Sequence, residues 1–242
     1  MNISAYGLFR IIWLLAAIFN FAVQLAYFKN DGSMALFRAK KVTTPLLLFS
    51  GLLIVIVESG GFPLVPGVIL LAMGLGEIGI EGSSVVEKHE GEDSGAGGSV
   101  IVLLAGILFL LVNVFIGAFL IITNEPGLFT LVSAAAALGV IALMLLICFR
   151  TFSPGPELRT QMLLYSIGLV ILLAGVITDA RGGLSALGLA GAVLTVSDSL
   201  VLIRMGAGFD KQIAGQRGIL LAFLVVILLL YYFYMWLLIG IV

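Results

Sequence analysis

Two carboxylates lie in stretches of the sequence that are otherwise almost entirely apolar or small. Asp198 lies in GAVLTVSDSLVLI (191–203), and Glu77 lies in LLAMGLGEIGIEG (70–82). Within a membrane helix, a charged carboxylate costs about 2.5–3.5 kcal/mol on insertion scales. General acid–base chemistry gives such a group a use, because a protonated carboxyl donates a proton and an ionised carboxylate takes one from water. Two carboxyls close together in a low dielectric tend to share one proton, which would provide both roles.

The composition indicates the setting of these acids. The chain of 242 residues is 62% hydrophobic and 10% charged, whereas soluble domains carry about 25% charged residues. The net charge of −1 gives no basis for nucleic-acid binding, so no nucleic-acid partner is expected. The single cysteine, Cys148, lies in an apolar run, so no disulfide or cysteine-ligated metal site is implied. The sequence therefore predicts a polytopic membrane protein.

Apolar runs of about 17–25 residues predict membrane-spanning helices, and continuous apolar runs exclude a closed barrel. The predicted fold is all-α, a single transmembrane domain over 1–242 formed by a bundle of eight helices. The first run lacks a small-residue cleavage site, so we expect a retained helix rather than a signal peptide. The second run is short and begins near Pro45, where a proline fits a first turn. The predicted spans are 4–28, 43–57, 62–80, 100–123, 128–149, 161–178, 184–203 and 216–241.

The basic residues predict the orientation. If the N-terminus lies outside, the first, third, fifth and seventh loops are cytoplasmic and contain all 12 Lys and Arg except Arg10 and Arg181. This is a strong positive-inside pattern, and it places both termini outside the cell membrane. The polar, acidic and glycine-rich loop 81–99 would be a flexible cytoplasmic linker. His89 lies there among acidic residues, but their spacing matches no metal site, and we expect no metal or other cofactor.

Further polar residues lie near the level of the two acids. Glu77 and Asp198 are each a few residues from the cytoplasmic end of their predicted spans, so their depths differ by only a few Å at 1.5 Å per residue. A polar pocket in the inner half of the bundle is therefore predicted. The alternative interpretation is purely structural. Such polar side chains join helices by hydrogen bonds, Tyr165 belongs to the aromatic belt at the membrane interface, and the Glu77 carboxylate extends to the membrane surface. The predicted substrate-binding residues are Gln24, Thr44, Asn113, Tyr165 and Ser197.

Four segments carry a resemblance to a known family. GAVLTVSDSL (191–200) resembles the seventh-helix signature of the YhhN, or lysoplasmalogenase, family of eight-helix membrane proteins. TTPLLLFSGLL, LLAMGLGEIGI and ELRTQMLLYSIGLVILLAGV look like its Lys-Pro, Leu-Gly-Asp and sixth-helix segments, in the same order and spacing. The chain departs from the pattern at five positions, one of which is Glu77 in place of the family's aspartate. The family's lysine is Thr44, its His-x-x-Tyr falls on Asn113 and Ile116, and its late polar residue is Met235.

The resemblance implies an activity, namely cleavage of the vinyl ether bond of lysoplasmalogens to a fatty aldehyde and a glycerophospho-base. Asp198 matches the family's Ser-Asp aspartate and Glu77 takes the place of its Gly-Asp aspartate, so the two acids would be the catalytic pair, with Glu77 as acid and Asp198 as base. The partner would be a single-chain membrane lipid, with its phosphate near Lys40, Lys41 or Arg204.

Two other functions fit the same residues. Intramembrane carboxylates are equally typical of proton relays, so proton-coupled transport of a lipid or small molecule is one alternative. A transporter needs access from both faces, whereas the acids here lie towards the inner face. A catalytically silent lipid-binding protein is the second alternative, and the replacement of the family's His-x-x-Tyr pair favours it.

Overall fold

The computed structural model describes residues 5–30, 33–89, 95–206 and 217–241. Within these residues the protein is all-α, as predicted from the sequence. The bounds of its helices are α1 Ala5–Lys29, α2 Met34–Ser59, α3 Leu64–His89, α4 Gly95–Thr123, α5 Leu128–Phe152, α6 Pro156–Ala180, α7 Ala186–Gly206 and α8 Arg217–Gly240.

Seven of these helices are long and apolar enough to cross a membrane, by length and composition. Large apolar side chains such as Leu15, Leu53 and Leu138 are exposed on their surfaces, which suits a lipid solvent. The described part of α3 contributes a shorter apolar stretch, Leu64–Ile78. The prediction of transmembrane helices is thus supported, while the eighth span and the orientation stay predictions.

The Cα positions group the chain into two compact units, Met1–Phe109 with Ile239–Val242 (unit 1) and Leu110–Leu238 (unit 2). In unit 1, α2 packs against both α1 and α3. Trp13 of α1 is buried, and its indole N–H donates to the Leu47 carbonyl at 3.1 Å. Near the C-terminal end of α2, the Arg10 guanidinium forms a bidentate ion pair with the Glu58 carboxylate. These contacts fasten α1 to α2 at two levels.

Helix α2 begins well before the predicted start at residue 43, and Pro45 lies inside it rather than in its first turn. Ser33 caps the helix by accepting a hydrogen bond from the Leu36 N–H, so the helix has its own start signal upstream. Pro45 lacks an N–H to continue the ladder. The carbonyl that loses this bond is that of Lys41, four residues earlier. The hydroxyls of Thr43 and Thr44 donate to the neighbouring Lys40 carbonyl.

Unit 2 is built on the close approach of α4 and α6. A Cβ atom on Gly117 would lie 2.3 Å from the Ile171 carbonyl oxygen, and one on Gly175 would lie 2.5 Å from the Gly117 carbonyl oxygen. Only glycine at both positions permits this backbone contact, a known packing mode of membrane helices. Helix α6 also packs against α5 and α7, and Gly191 of α7 faces Val176 of α6. This packing brings the middle of α4, α6 and α7 together.

Helical structure extends into the segment predicted as a loop. Residues 81–89 belong to α3 and residues 95–99 belong to α4, while 90–94 lie outside the described residues. Because α3 continues beyond its apolar run, the end of the helix does not mark the membrane boundary, and the similar depth of Glu77 and Asp198 stays a prediction. The single-domain organisation stays a prediction.

Candidate functional site

Asp198 is a buried acid in unit 2. It lies on α7, about two turns before the helix ends at Gly206, and only 8% of its surface is exposed. The Asn113 side chain of α4, which is 1% exposed, donates from Nδ2 to Asp198 Oδ2 at 2.8 Å. Asn113 lies one turn before Gly117, so the glycine contact between α4 and α6 holds the amide in place. The structure thus places Asn113 beside Asp198, while its role in substrate binding stays a prediction.

Tyr165 of α6 belongs to the same cluster. Its hydroxyl interacts with the Asp198 carboxylate and with the Asn113 side chain. The sequence placed Tyr165 near the start of its helix, but α6 begins at Pro156, more than two turns earlier. Proline suits this first position because the first helical N–H groups have no partner in the helix. Tyr165 therefore points into a polar cluster rather than marking a helix end.

Tyr234 of α8 is a member of the cluster that the sequence did not predict. The residue is completely buried, and its hydroxyl has no hydrogen-bond partner among the described residues. It lies within electrostatic range of the Asp198 carboxylate. The family comparison had directed attention to Met235, which is also fully buried. A tyrosine in an apolar run is a weak signal, since interfacial aromatic belts give the same pattern.

The other predicted residues near this site have mixed outcomes. Ser197 is buried, at 2% exposure, but within the described residues no hydrogen bond joins it to Asp198. Glu77 lies on α3 in unit 1 and is half-buried. Its predicted closeness to Asp198 concerns two different units, so the shared site stays a prediction.

A second polar cluster lies in unit 1 and joins α1 to α2. The side-chain amides of Asn20 and Gln24 both donate to the Thr44 hydroxyl oxygen, at 3.3 Å and 3.0 Å, and this hydroxyl donates to the Lys40 carbonyl. A hydroxyl has one hydrogen and two lone pairs, so Thr44 is fully used. Asn20 Oδ1 is buried and has no hydrogen-bond partner within the described ranges. The cluster holds α1 and α2 together by side-chain hydrogen bonds. The role of Gln24 and Thr44 in substrate binding stays a prediction.

The sequence analysis also missed a second buried acid in unit 2. Asp179, at 4% exposure, lies at the end of α6, just beyond the predicted span. Asn124 Nδ2 donates to its Oδ1 at 3.0 Å, while the backbone N–H and the hydroxyl of Ser185 donate to its Oδ2 at 2.8 Å and 2.9 Å. The Ser185 hydroxyl in turn accepts from the Gly188 N–H and so caps α7. The serine before an apolar run was the available signal for this cap.

Beside Asp179, a cavity of about 300 Å³ opens at the same end of unit 2. The cavity opens to the surface of the protein. The residues that line the cavity are Asn124, Glu125, Phe129, Thr130, Thr178, Arg181 and Gly182. The Arg181 guanidinium lies over the Phe129 ring at 5.1 Å from its centre, which holds this charged side chain at the rim of the cavity.

Among the described residues, no three His, Cys, Asp or Glu side chains come together in a way that could hold a metal ion. His89 ends α3, and Glu90, Glu92 and Asp93 lie outside the described residues. The chemistry available at Asp198 is that of a carboxylate with amide and phenol neighbours, which is proton transfer and hydrogen bonding.

Comparisons of the chain with protein-family models, with curated proteins and with solved structures found no match. The resemblance to the lysoplasmalogenase family therefore rests on the four sequence segments given above.

Proposed function

We propose that this protein is an integral-membrane hydrolase that cleaves the vinyl ether bond of lysoplasmalogen-like single-chain ether lipids, giving a fatty aldehyde and a glycerophospho-base. The proposal joins the sequence resemblance to the site around Asp198. The observation that carries it is a carboxylate buried in the middle of an apolar helix, with an amide donor at 2.8 Å and two tyrosines within its range. A purely structural carboxylate at that depth needs more compensation than this.

The proposed reaction uses the two predicted acids. A protonated carboxyl, Glu77 in this proposal, adds its proton to the alkene carbon that does not carry oxygen. The neighbouring carbon becomes an oxocarbenium ion. Water then forms a bond to that carbon and gives a proton to the Asp198 carboxylate, so the pair again holds one proton in total. The hemiacetal passes its hydroxyl proton to the leaving glycerol oxygen as the C–O bond breaks, and the aldehyde and the alcohol are released.

The neighbours of Asp198 support the role of base. The Asn113 N–H pairs with the lone pairs of an ionised carboxylate, the form that takes up a proton. Buried hydrogen-bond donors also fix the orientation of the carboxylate before the substrate arrives, which reduces the reorganisation needed in the reaction. The glycine packing of α4 on α6 provides the rigid frame for these donors.

The proposal requires a particular membrane arrangement, with eight spans and both termini outside. It also requires Glu77 and Asp198 to lie within roughly 10 Å of each other, the upper range for carboxylates that work across a water. Labelling of single cysteines tests the orientation. In a Cys148→Ser background, Ser94→Cys should react with an impermeant maleimide only after the cells are opened. Gly61→Cys, in the exposed loop between α2 and α3, should react on intact cells. The reverse pattern would overturn the orientation.

The activity itself is tested by incubating the purified protein with a panel of lysoplasmalogens and measuring aldehyde release. The matched control substrate is the lysolipid with a saturated alkyl ether, which has no alkene to protonate and should stay intact. Asp198→Asn is the inactive control, and Ser133→Ala is the matched active one, because Ser133 is equally buried but bonds only to its own helix. Absence of aldehyde with every headgroup and chain length would reject the proposal. Proton-coupled uptake by the reconstituted protein would then favour transport.

A further inference from the structure

The Tyr234 hydroxyl raises a question that packing alone does not answer. The residue is fully buried on α8, and its hydroxyl oxygen has no hydrogen-bond partner in the part of the chain that the structure describes. A buried hydroxyl without a hydrogen bond destabilises the folded protein, because it has lost its bonds to water and gained none. Phenylalanine would fill the same space at none of this cost. The hydroxyl therefore indicates a polar group that comes from outside the protein chain.

The position of the hydroxyl limits what that group can be. Tyr234 lies within electrostatic range of Asp198, and the Asp198 carboxylate already accepts from Asn113. A partner between the phenol and the carboxylate must accept one hydrogen bond and donate another. A water molecule does both, and buried waters typically make about three hydrogen bonds to otherwise unsatisfied groups. An anion or a metal ion does not combine these two roles.

We propose that Tyr234 and Asp198 together bind the water molecule that is consumed in the reaction. This inference rests on the proposed function. One lone pair of the water accepts the Tyr234 hydrogen, and one water hydrogen points to the Asp198 carboxylate. The second lone pair is then directed at the oxocarbenium carbon. When the new C–O bond forms, Asp198 takes the proton, while Tyr234 keeps its own proton and holds the oxygen in place.

The kinetic test is Tyr234→Phe, which removes the hydroxyl and keeps the ring. We expect kcat to fall about 10²-fold, the usual cost of losing one positioned hydrogen bond or misplacing a reactant, with KM within about twofold of wild type. Thermal stability should stay equal or rise, because no hydrogen bond within the protein is lost. Tyr231→Phe is the matched control: it makes the same change on the same helix at a half-buried position, and it should leave kcat unchanged. An unchanged kcat in Tyr234→Phe would overturn the inference.

A second measurement does not depend on the activity. A high-resolution structure of the wild-type protein should contain an ordered oxygen within about 3 Å of the Tyr234 hydroxyl, and Tyr234→Phe should lose it. If the oxygen is present but wild type releases no aldehyde, the water site stands and the proposed reaction fails. If wild type is active and no oxygen is bound there, the reaction stands and the water site fails.

Discussion

Asp179 and Asp198 are both aspartates of unit 2, and both are more than nine-tenths buried, but their surroundings differ. Asp179 lies at a helix end and accepts three hydrogen bonds on its two oxygens, one of them from backbone. Asp198 lies within a helix, where the backbone N–H groups are already used by the helix ladder. Side chains from α4 and α6 are its donors, and one further hydroxyl nearby has no partner.

The difference agrees with the proposed function, in which Asp198 is the reactive carboxylate and Asp179 is a structural one. Asp179 fastens the ends of α4 and α6 to the start of α7, and the positive end of the α7 dipole adds to its stabilisation. Three hydrogen bonds to neighbouring groups occupy most of the lone pairs of the Asp179 carboxylate. Asp198 accepts from fewer donors than Asp179 and lies within an apolar helix, where a charge is costly. We therefore expect substitutions at Asp198 to change chemistry and substitutions at Asp179 to change stability.

The largest effect is expected from Asp198→Asn. The amide is nearly isosteric, so packing should change little, but it cannot take up a proton. Turnover of a lysoplasmalogen should fall about 10²–10⁴-fold, the usual value of general acid–base help, and Glu77→Gln should do the same. Thermal stability should be equal or higher, because a costly buried charge is removed. Aldehyde release and thermal unfolding in the same detergent measure both effects. Normal turnover in Asp198→Asn would show that Asp198 is not the catalytic base.

Gly188→Ala tests how tightly Asp179 is held. A Cβ atom at this position would lie 1.9 Å from Asp179 Oδ2, so the carboxylate must leave Ser185 or α7 must shift. We expect a loss of about 3 kcal/mol, at the upper end for overpacked sites. Gly139→Ala is the matched control, since its Cβ would meet nothing within 4 Å in the middle of α5. That control should be neutral or slightly stabilising. Equal unfolding temperatures for the two variants would contradict the fastening role of Asp179.

Asp179→Asn is the direct counterpart of Asp198→Asn. The amide keeps one acceptor oxygen and turns its NH₂ group towards a former donor, so at least one hydrogen bond is replaced by a repulsive contact. The expected cost is about 1–3 kcal/mol of stability, with turnover per folded molecule unchanged. Denaturation midpoints and activity, normalised to folded protein, provide the measurement. Should stability be retained while turnover is lost, the roles assigned to the two acids would have to be exchanged.

Asn113→Ala should give the smallest effect and sharpen the comparison. Interhelical hydrogen bonds in membranes are worth on the order of 0.6–2 kcal/mol, so the stability loss should stay within that range. If Asn113 also orients Asp198, turnover should fall as well, by less than in Asp198→Asn. Ser133→Ala, which removes a bond within one helix, should leave turnover unchanged. A stability loss with full turnover would make Asn113 a helix fastener only.

Much of the fold follows from hydrophobic patterning. The predicted starts and ends agree with the structure within a few residues for α1, α5 and α7. The largest differences are at the start of α2, where Pro45 was taken as a start, and at the end of α3, which continues to His89. Helix propensity and the Ser33 cap act locally, and they start α2 further upstream than the hydropathy pattern indicates. Hydropathy reports where a chain can enter a membrane, not where its helix ends.

The sequence by itself determined that the chain suits a lipid environment and that it is helical. It also identified Asp198 as a residue whose burial needs an explanation, because the cost of burying a charge depends on the residue and its apolar flanks. Only the tertiary structure decided which neighbours Asp198 has. The glycine contacts of Gly117 and Gly175 are what set α4 against α6, and they bring Asn113 and Tyr165 to the carboxylate from far away in the chain. Only the structure separated Asp179 from Asp198, since a carboxylate is identical in sequence whether its lone pairs are filled or open. Hydrogen-bond satisfaction is a property of packed helices, so it is absent from any local pattern.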